Sequence, residues 1–286
     1  MQPLKISRPL SKSSRPKRKL LWLGSALILV LIITLLTPIL IRTNREAIAR
    51  EITAISHQES GKQERAYREL LSATGGDQAV ARALAEYYST HNLHKNAAET
   101  YEHARGALLL EAAREYALGL DYTNVARVAR TSTNAQPTAE SLALQGIAFL
   151  NQKDTKKGCE KARESEAKST TAPLAQQVKT ACEYTRRSQD DPWKLSEAGL
   201  LAIAREKIQG TPRTSSAALV LLARLQQQSG ESDNALQSLS RALQQTPFDR
   251  EVLTAITSLC NQSVAPSDCS SLQKTAGANL ERLPPR

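Results

Sequence analysis

The chain has 286 residues and a formal net charge of +10, from 38 Lys and Arg against 28 Asp and Glu. Seven of the positive charges lie in the first nineteen residues, which leaves +3 for the remainder and argues against a nucleic-acid-binding protein. Aromatic residues make up only 4% of the chain, and good helix formers dominate the rest. Because runs of alternating β-branched residues are also absent, we predict an all-α fold.

The chain begins with a basic tail followed by a long apolar run. Residues 1–19 are rich in Ser, Pro, Lys and Arg, a composition that cannot bury a core and predicts disorder. Residues 20–41 contain no charged side chain. A helix of this length rises about 33 Å, enough to cross a hydrocarbon core of about 30 Å. We therefore predict a transmembrane helix over residues 20–41, which holds the protein in a membrane.

The charges beside this helix predict its orientation. Lys and Arg next to a span are retained in the cytoplasm, and the seven basic residues of the tail have no acidic neighbour. We expect a single-pass protein of the inner (cytoplasmic) membrane, with its N-terminus cytoplasmic and its C-terminal domain extracytoplasmic. A cleaved signal peptide is the alternative, since Ala47-Ile48-Ala49 resembles a cleavage site, but the apolar region of such a peptide spans only about 7–15 residues.

Residues 42–76 are predicted to form a juxtamembrane helical stalk. Ile48, Ile52 and Ile55 are spaced four and three apart, which places them on one face of a helix. A second helix follows and ends at Gly75-Gly76, because glycine readily adopts the left-handed conformation that closes a helix. The alternative for this region is a solvated spacer.

Residues 77–259 are predicted to form paired helices. In the first pair, small side chains at Ala85 and Ala97 let two antiparallel helices approach closely, and Tyr88 fills the space beside them. The turn of this pair is assigned to Asn92. The pattern resembles the tetratricopeptide repeat (TPR), and the resemblance implies a TPR-like solenoid of helical hairpins with about 34 residues per repeat.

A second clear copy of this pattern lies at residues 216–249. Gly230 occupies its turn and Pro247 closes it, as in the TPR consensus. Gln226 stands where an aromatic residue is usual. Either the packing is looser at this position or a neighbouring side chain compensates.

Weaker copies fill the interval between these two. Their turns are assigned at Leu120, at Lys153 and near Asp190, and the last turn joins residues 172–184 to residues 192–208 as one helix pair. The intervals between turns are unequal, which leaves an unrelated helical bundle as the alternative to a solenoid.

All four cysteines follow the apolar run, in the part of the chain that we expect to be extracytoplasmic and oxidising. Three pairings are possible, and proximity in sequence favours Cys159 with Cys182 and Cys260 with Cys269. Reduced, buried thiols are the alternative. The spacings do not fit a zinc site. Residues 260–286 are predicted to be a capping segment and tail.

The sequence contains no catalytic motif that we recognise, so we predict no enzyme, no cofactor and no metal site. His91, His94 and His103 lie close together in sequence around the first turn, where a metal site is conceivable. Exposed turn histidines are the favoured interpretation.

A solenoid of helical hairpins without catalytic residues indicates a scaffold that binds proteins in a groove. In TPR domains the first helix of each repeat lines that groove. By this resemblance the groove positions are Arg82, Glu86, Ser89, Arg114, Ile147, Leu150, Asn151, Arg224, Gln227 and Gln228.

The expected partners are therefore proteins, and the expected role is that of an accessory factor of an envelope assembly or secretion machine. A surface adhesin that binds a foreign cell is one alternative, and a metalloenzyme that uses the histidines is another. The sequence does not indicate an oligomeric state.

Overall fold

The computed structural model describes residues 44–104, 108–135, 137–261 and 268–284. The predicted basic tail (residues 1–19) and transmembrane helix (residues 20–41) lie outside the described residues. No helix within the described ranges is long and apolar enough to cross a membrane.

The chain divides into two compact units, residues 1–57 and residues 58–286. In the first unit, residues 44–56 are helical (α1). The two helices predicted within residues 42–76 are both present, the first in this unit and the second in the next. The helices of the second unit are α2 (Ser60–Ala73), α3 (Gln78–Thr90), α4 (His94–His103), α5 (Leu109–Leu118), α6 (Tyr122–Ala135), α7 (Ala139–Asn151), α8 (Thr155–Lys168), α9 (Pro173–Arg186), α10 (Pro192–Glu197), α11 (Leu201–Gln209), α12 (Ser216–Gln228), α13 (Ser232–Gln245), α14 (Arg250–Cys260) and α15 (Cys269–Glu281).

Seven of these helices end in the same tight turn, in which one residue has a positive φ. At the first turn, the N–H of Leu93 donates to the carbonyl of Tyr88 at 2.9 Å, and this bond satisfies a carbonyl at the helix end. The residues with positive φ at these turns are Gly75 (62°), Asn92 (58°), Leu120 (59°), Lys153 (65°), Ser188 (51°), Gly199 (81°) and Gly230 (78°). Four of the turns predicted from the sequence are confirmed, and the fifth lies two residues before Asp190.

The short turns fold the chain into helical hairpins that stack in sequence order. Within the second unit, α3 packs on α4, α5 on α6, α7 on α8, α12 on α13 and α14 on α15. Neighbouring hairpins pack on each other through contacts of α4 with α5, α6 with α7 and α13 with α14. Between the α7–α8 and α12–α13 hairpins, α9 packs on α7 and α8, and α11 packs on α12. This arrangement confirms an all-α, solenoid-like stack of helical hairpins.

One predicted helix pair is wrong. Residues 192–208 form two short helices, α10 and α11, and α9 makes its main contacts with α7 and α8 instead. The break falls at Gly199, whose φ of 81° is outside the helical range. The amide of Asn151 holds this break, because its Nδ2 donates to the carbonyl of Gly199 and its Oδ1 accepts from the N–H of Ala202, at 2.9 and 3.0 Å.

Small residues allow α7 and α8 to pack closely against each other. A Cβ placed on Gly158 would lie 2.5 Å from Cγ of Leu150 and 3.1 Å from the carbonyl oxygen of Gly146. A Cβ on Gly146 would lie 2.6 Å from a methyl group of Val178 on α9. The two glycines therefore let α7 approach α8 and α9 more closely than any larger residue would.

The buried polar side chain of Gln226 is satisfied by a neighbour. Its exposed fraction is 6%, and the hydroxyl of Ser238 on α13 donates to its Oε1 at 2.7 Å. This hydrogen bond offsets the cost of burying an amide where the TPR pattern has an aromatic ring. Of the two interpretations offered for Gln226, compensation by a neighbour is the one observed.

Both disulfides favoured by proximity in sequence are present. Cys159–Cys182 joins α8 to α9, and Cys260–Cys269 joins the end of α14 to the start of α15. Each bond ties two successive helices of the stack, so each constrains how the second helix packs on the first.

A bidentate ion pair joins α11 to the start of α13. The guanidinium of Arg205 donates to both carboxylate oxygens of Glu231, at 2.7 and 2.6 Å. Ser229 and Asn234 donate to the same carboxylate. The hydrogen bonds from Arg205 are the largest cause that holds the pKa of Glu231 below its usual value.

We expect the Glu231→Gln variant to lose about 1 kcal/mol of unfolding free energy near neutral pH. Because the folded-state pKa of Glu231 is lowered, this contribution is full above the unfolded pKa of about 4.3 and is lost as the pH falls through the folded value. Denaturation of wild type and variant near neutral pH and at roughly pH 3 measures the difference. The exposed pair Lys153–Glu206 is the control, with a smaller expected effect for Glu206→Gln. A difference that grows on acidification would contradict the prediction.

Candidate binding groove

The first helices of the hairpins, α3, α5, α7, α12 and α14, supply the candidate groove. Four of the predicted groove positions, Arg82, Glu86, Arg114 and Arg224, are exposed, and Ser89 and Gln227 are partly exposed. All of them lie on α3, α5 and α12. The structure thus leaves a polar, charged surface over the first helices at both ends of the stack.

Ion pairs connect successive first helices across this surface. Arg82 binds Glu111 at 3.4 Å, Arg114 binds Glu140, and Arg224 binds Glu251 at 2.8 Å. Each glutamate lies in the first turn of the following first helix, where the helix dipole favours a negative charge. Because these pairs are at least partly exposed, each contributes only about 0–1 kcal/mol to the stability of the fold. A ligand can therefore replace one partner at little cost.

The middle of the predicted groove is closed. The prediction that Ile147, Leu150 and Asn151 are exposed is wrong, since their exposed fractions are 5%, 0% and 6%. The reason is that α7 packs against α5, α6, α8 and α9, and that Asn151 binds the backbone between α10 and α11. These three side chains therefore stabilise the stack and cannot contact a ligand on its surface.

Gln228, the last predicted position, is partly buried. Its Oε1 is buried and has no hydrogen-bond partner among the described residues. It does not line the pocket described next.

A pocket of about 420 Å³ lies between α12, α13 and α14, and we call it the α12–α14 pocket. Its floor is apolar and contains three alanines, and its rim is polar. The floor residues are Val220, Ala223, Ala235, Leu239, Ala255 and Leu259. The rim residues are Arg224, Gln227, Arg250, Glu251, Thr254 and Ser258. The pocket therefore offers a ligand both an apolar surface and several hydrogen-bonding and charged groups.

The rim of this pocket is positively charged. Arg224 is paired with Glu251. Arg250 donates to the carbonyl oxygen of Pro284 at 2.5 Å, and no carboxylate within the described residues lies within salt-bridge distance of its guanidinium. Two guanidinium groups therefore face one carboxylate around the opening.

Four of the rim residues belong to α14, a helix that the sequence analysis did not predict. The signal for this helix is present, because the Asp249 carboxylate accepts hydrogen bonds from the N–H groups of Glu251 and Val252. Val252, Ile256 and Leu259 then follow at helical spacing and are buried. A helix recognised at 250–260 places Arg250, Glu251, Thr254 and Ser258 beside α12.

The three histidines near the first turn each contact a different group of the protein. Nδ1 of His94, a buried residue, lies 2.9 Å from a carboxylate oxygen of Glu115. Nδ1 of His91 and Nδ1 of His103 each lie 2.7 Å from a backbone carbonyl of their own helix turn. Groups of three or more side chains able to hold a metal are absent from the described part of the chain.

Two shifted pKa values mark a contact between the first two hairpins. Burial, followed by the charge of Glu102, raises the pKa of Tyr116 to about 12. Hydrogen bonds from Arg127 are the largest cause that lowers the pKa of Glu102, which also accepts from the Tyr116 hydroxyl at 3.1 Å. These groups lie on α4, α5 and α6, so they join the first two hairpins.

No protein-family model matches the chain, and no curated protein matches it in sequence. Among solved structures, a tetratricopeptide repeat protein from Parabacteroides merdae ATCC 43184 is similar to it. The similarity has a TM-score of 0.44 and 13% sequence identity, and it covers 82% of this chain and 99% of that chain. At this identity and TM-score we infer neither family nor function from the likeness.

Proposed function

We propose that the protein is a membrane-anchored scaffold that binds a protein partner on the extracytoplasmic side, as an accessory factor of an envelope assembly or secretion machine. The observation that carries the proposal is the α12–α14 pocket, with its apolar floor and polar rim on the first-helix surface. Stacked helical hairpins present such surfaces to peptides and helices of other proteins.

Two features support the location in this proposal. Residues 20–41 are uncharged and follow seven basic residues, the pattern of a span with a cytoplasmic N-terminus. Both cysteine pairs are joined as disulfides, which persist in oxidising compartments. A scaffold held in this way meets only partners at or near the membrane surface.

A photo-crosslinking amino acid at Thr254 tests the proposal in intact cells. Thr254 is exposed and lines the pocket, so we expect a covalent adduct with an envelope protein after illumination. The control is the same amino acid at Gln244, an exposed residue of α13 that does not line the pocket, where we expect no such adduct.

Equal adduct formation at both positions, or none at Thr254, would contradict a partner in the pocket. An adduct that forms only when a second type of cell is added would favour a surface adhesin instead. Identification of the crosslinked protein by mass spectrometry distinguishes these outcomes.

A further inference from the structure

We propose that the α12–α14 pocket selects a peptide segment in which a large apolar side chain stands next to an Asp or Glu. The inference rests on the proposed function and names the chemistry of the partner. It depends on the volume and composition of the pocket floor and on the charges of its rim.

The floor has room for a large apolar side chain. Ala223, Ala235 and Ala255 come from three different helices, and their short side chains leave the space between α12, α13 and α14 open. The pocket volume of about 420 Å³ lies in the range of ligand pockets, about 300–1,000 Å³. Val220 and Leu259 are already buried, so the gain on binding comes from the incoming apolar side chain, which loses its own contact with water.

Arg250 supplies the preference for a carboxylate. In the free protein its guanidinium donates to a neutral carbonyl, that of Pro284. A planar guanidinium binds a carboxylate through two parallel hydrogen bonds, and such charge-assisted bonds are roughly twice as strong as neutral ones. A partner carboxylate at the rim therefore gains more from Arg250 than the carbonyl does.

Arg224 strengthens this preference. Its pair with Glu251 is half exposed on both sides, so a second carboxylate can share the guanidinium at small cost. A Lys or Arg of a partner would instead meet two guanidinium groups, and like charges brought together at an interface are costly. The rim thus selects acidic segments partly by excluding basic ones.

The remaining rim groups suit a peptide backbone. Gln227 offers both an amide donor and an acceptor, and Thr254 and Ser258 offer hydroxyls on the opposite side of the pocket. These groups can bond the N–H and C=O groups of a bound segment whatever its sequence. They favour binding of a peptide without adding a preference for a particular side chain.

A library of random peptides, displayed with both ends joined to the carrier so that no terminal carboxylate is free, tests the inference on the full-length protein in detergent. We expect the wild type to enrich peptides with Asp or Glu beside Leu, Ile, Phe or Trp. We expect the Arg250→Glu variant to bind the enriched peptides at least about tenfold more weakly. We expect Arg250→Lys to lose less affinity, because a lysine ammonium keeps the positive charge but cannot form the two parallel hydrogen bonds of a guanidinium.

Arg241→Glu is the matched control, since it makes the same charge change at an exposed residue of α13 that does not line this pocket. Its peptide preference should equal that of the wild type. Circular dichroism melts of all variants check that folding is retained, and Arg250→Lys provides the test if Arg250→Glu does not fold.

Enrichment of basic or uncharged peptides, no enrichment at all, or full binding by Arg250→Glu would overturn the inference. The outcome is separate from that of the proposed function. If a partner crosslinks at Thr254 but the protein shows no preference for acidic peptides, the scaffold proposal stands and the proposed peptide preference is wrong. If the protein selects acidic peptides but no partner crosslinks in cells, the peptide preference stands and the scaffold proposal is wrong.

Discussion

Replacing Cys159 and Cys182 together with alanine is expected to lower the free energy of unfolding by about 3 kcal/mol. The bond joins residues separated by 23 positions, so it removes conformational freedom from a sizeable loop of the unfolded chain. In the folded protein it ties α9 to α8, and both sulfur-bearing residues are buried. Urea denaturation followed by circular dichroism, on the full-length protein in detergent, measures the change.

The matched control is the double alanine variant of Cys260 and Cys269. These residues are only nine positions apart, so the same entropy relation gives about 2.5 kcal/mol. Loss of the Cys260–Cys269 bond should loosen the packing of α15 on α14, whereas loss of the Cys159–Cys182 bond should loosen α9. Limited proteolysis locates the loosened helix. Equal stability of the wild type and the Cys159/Cys182 variant under oxidising conditions would show that the bond does not stabilise the fold.

Gly158→Ala is expected to destabilise the protein by about 1–3 kcal/mol, although alanine is the better helix former. The added methyl group would lie 2.5–2.6 Å from Leu150 and 3.1 Å from the backbone oxygen of Gly146. Leu150 is fully buried, so its side chain has no open space to move into, and α7 and α8 must separate. Thermal and urea denaturation measure the effect.

Gly277→Ala serves as the control for this substitution. Gly277 is also within a helix, α15, but beyond its chain neighbours and its own helix backbone a Cβ there would meet no described atom within 4 Å. We expect this variant to be more stable than the wild type by about 0.5–1 kcal/mol, because only the helix propensity changes. If both variants shifted stability in the same direction, steric crowding at Gly158 would not be the cause.

The hairpins could be predicted from the sequence because their signals are local. Asn92 and Gly230 are residues that tolerate a positive φ, and each follows a stretch with helical spacing of small and apolar residues. Leu120 and Lys153 carry no such signal by themselves. Their turns were placed by the spacing of the helices on either side, which is also local information.

The pairing of residues 172–184 with 192–208 was predicted wrongly for a physical reason. Residues 192–208 are rich in Leu, Ala, Lys and Glu, which favour a helix, and Gly199 alone is a weak helix breaker. The break is stabilised by Asn151, which is about fifty positions away in sequence and binds the backbone on both sides of Leu200. A contact of that separation leaves no trace in a local pattern.

The amino-acid sequence by itself indicated most of the helical hairpins and their turns, favoured the two cysteine pairs that form, and set the charge asymmetry around residues 20–41, because each depends on residues close together in the chain. Only the tertiary structure decided which first-helix residues reach the surface. Leu150 and Asn151 are enclosed by neighbouring helices, whereas Arg250 and Thr254 stand at the rim of a pocket. Exposure depends on what packs against a side chain from elsewhere in the fold, and helical periodicity does not contain that information.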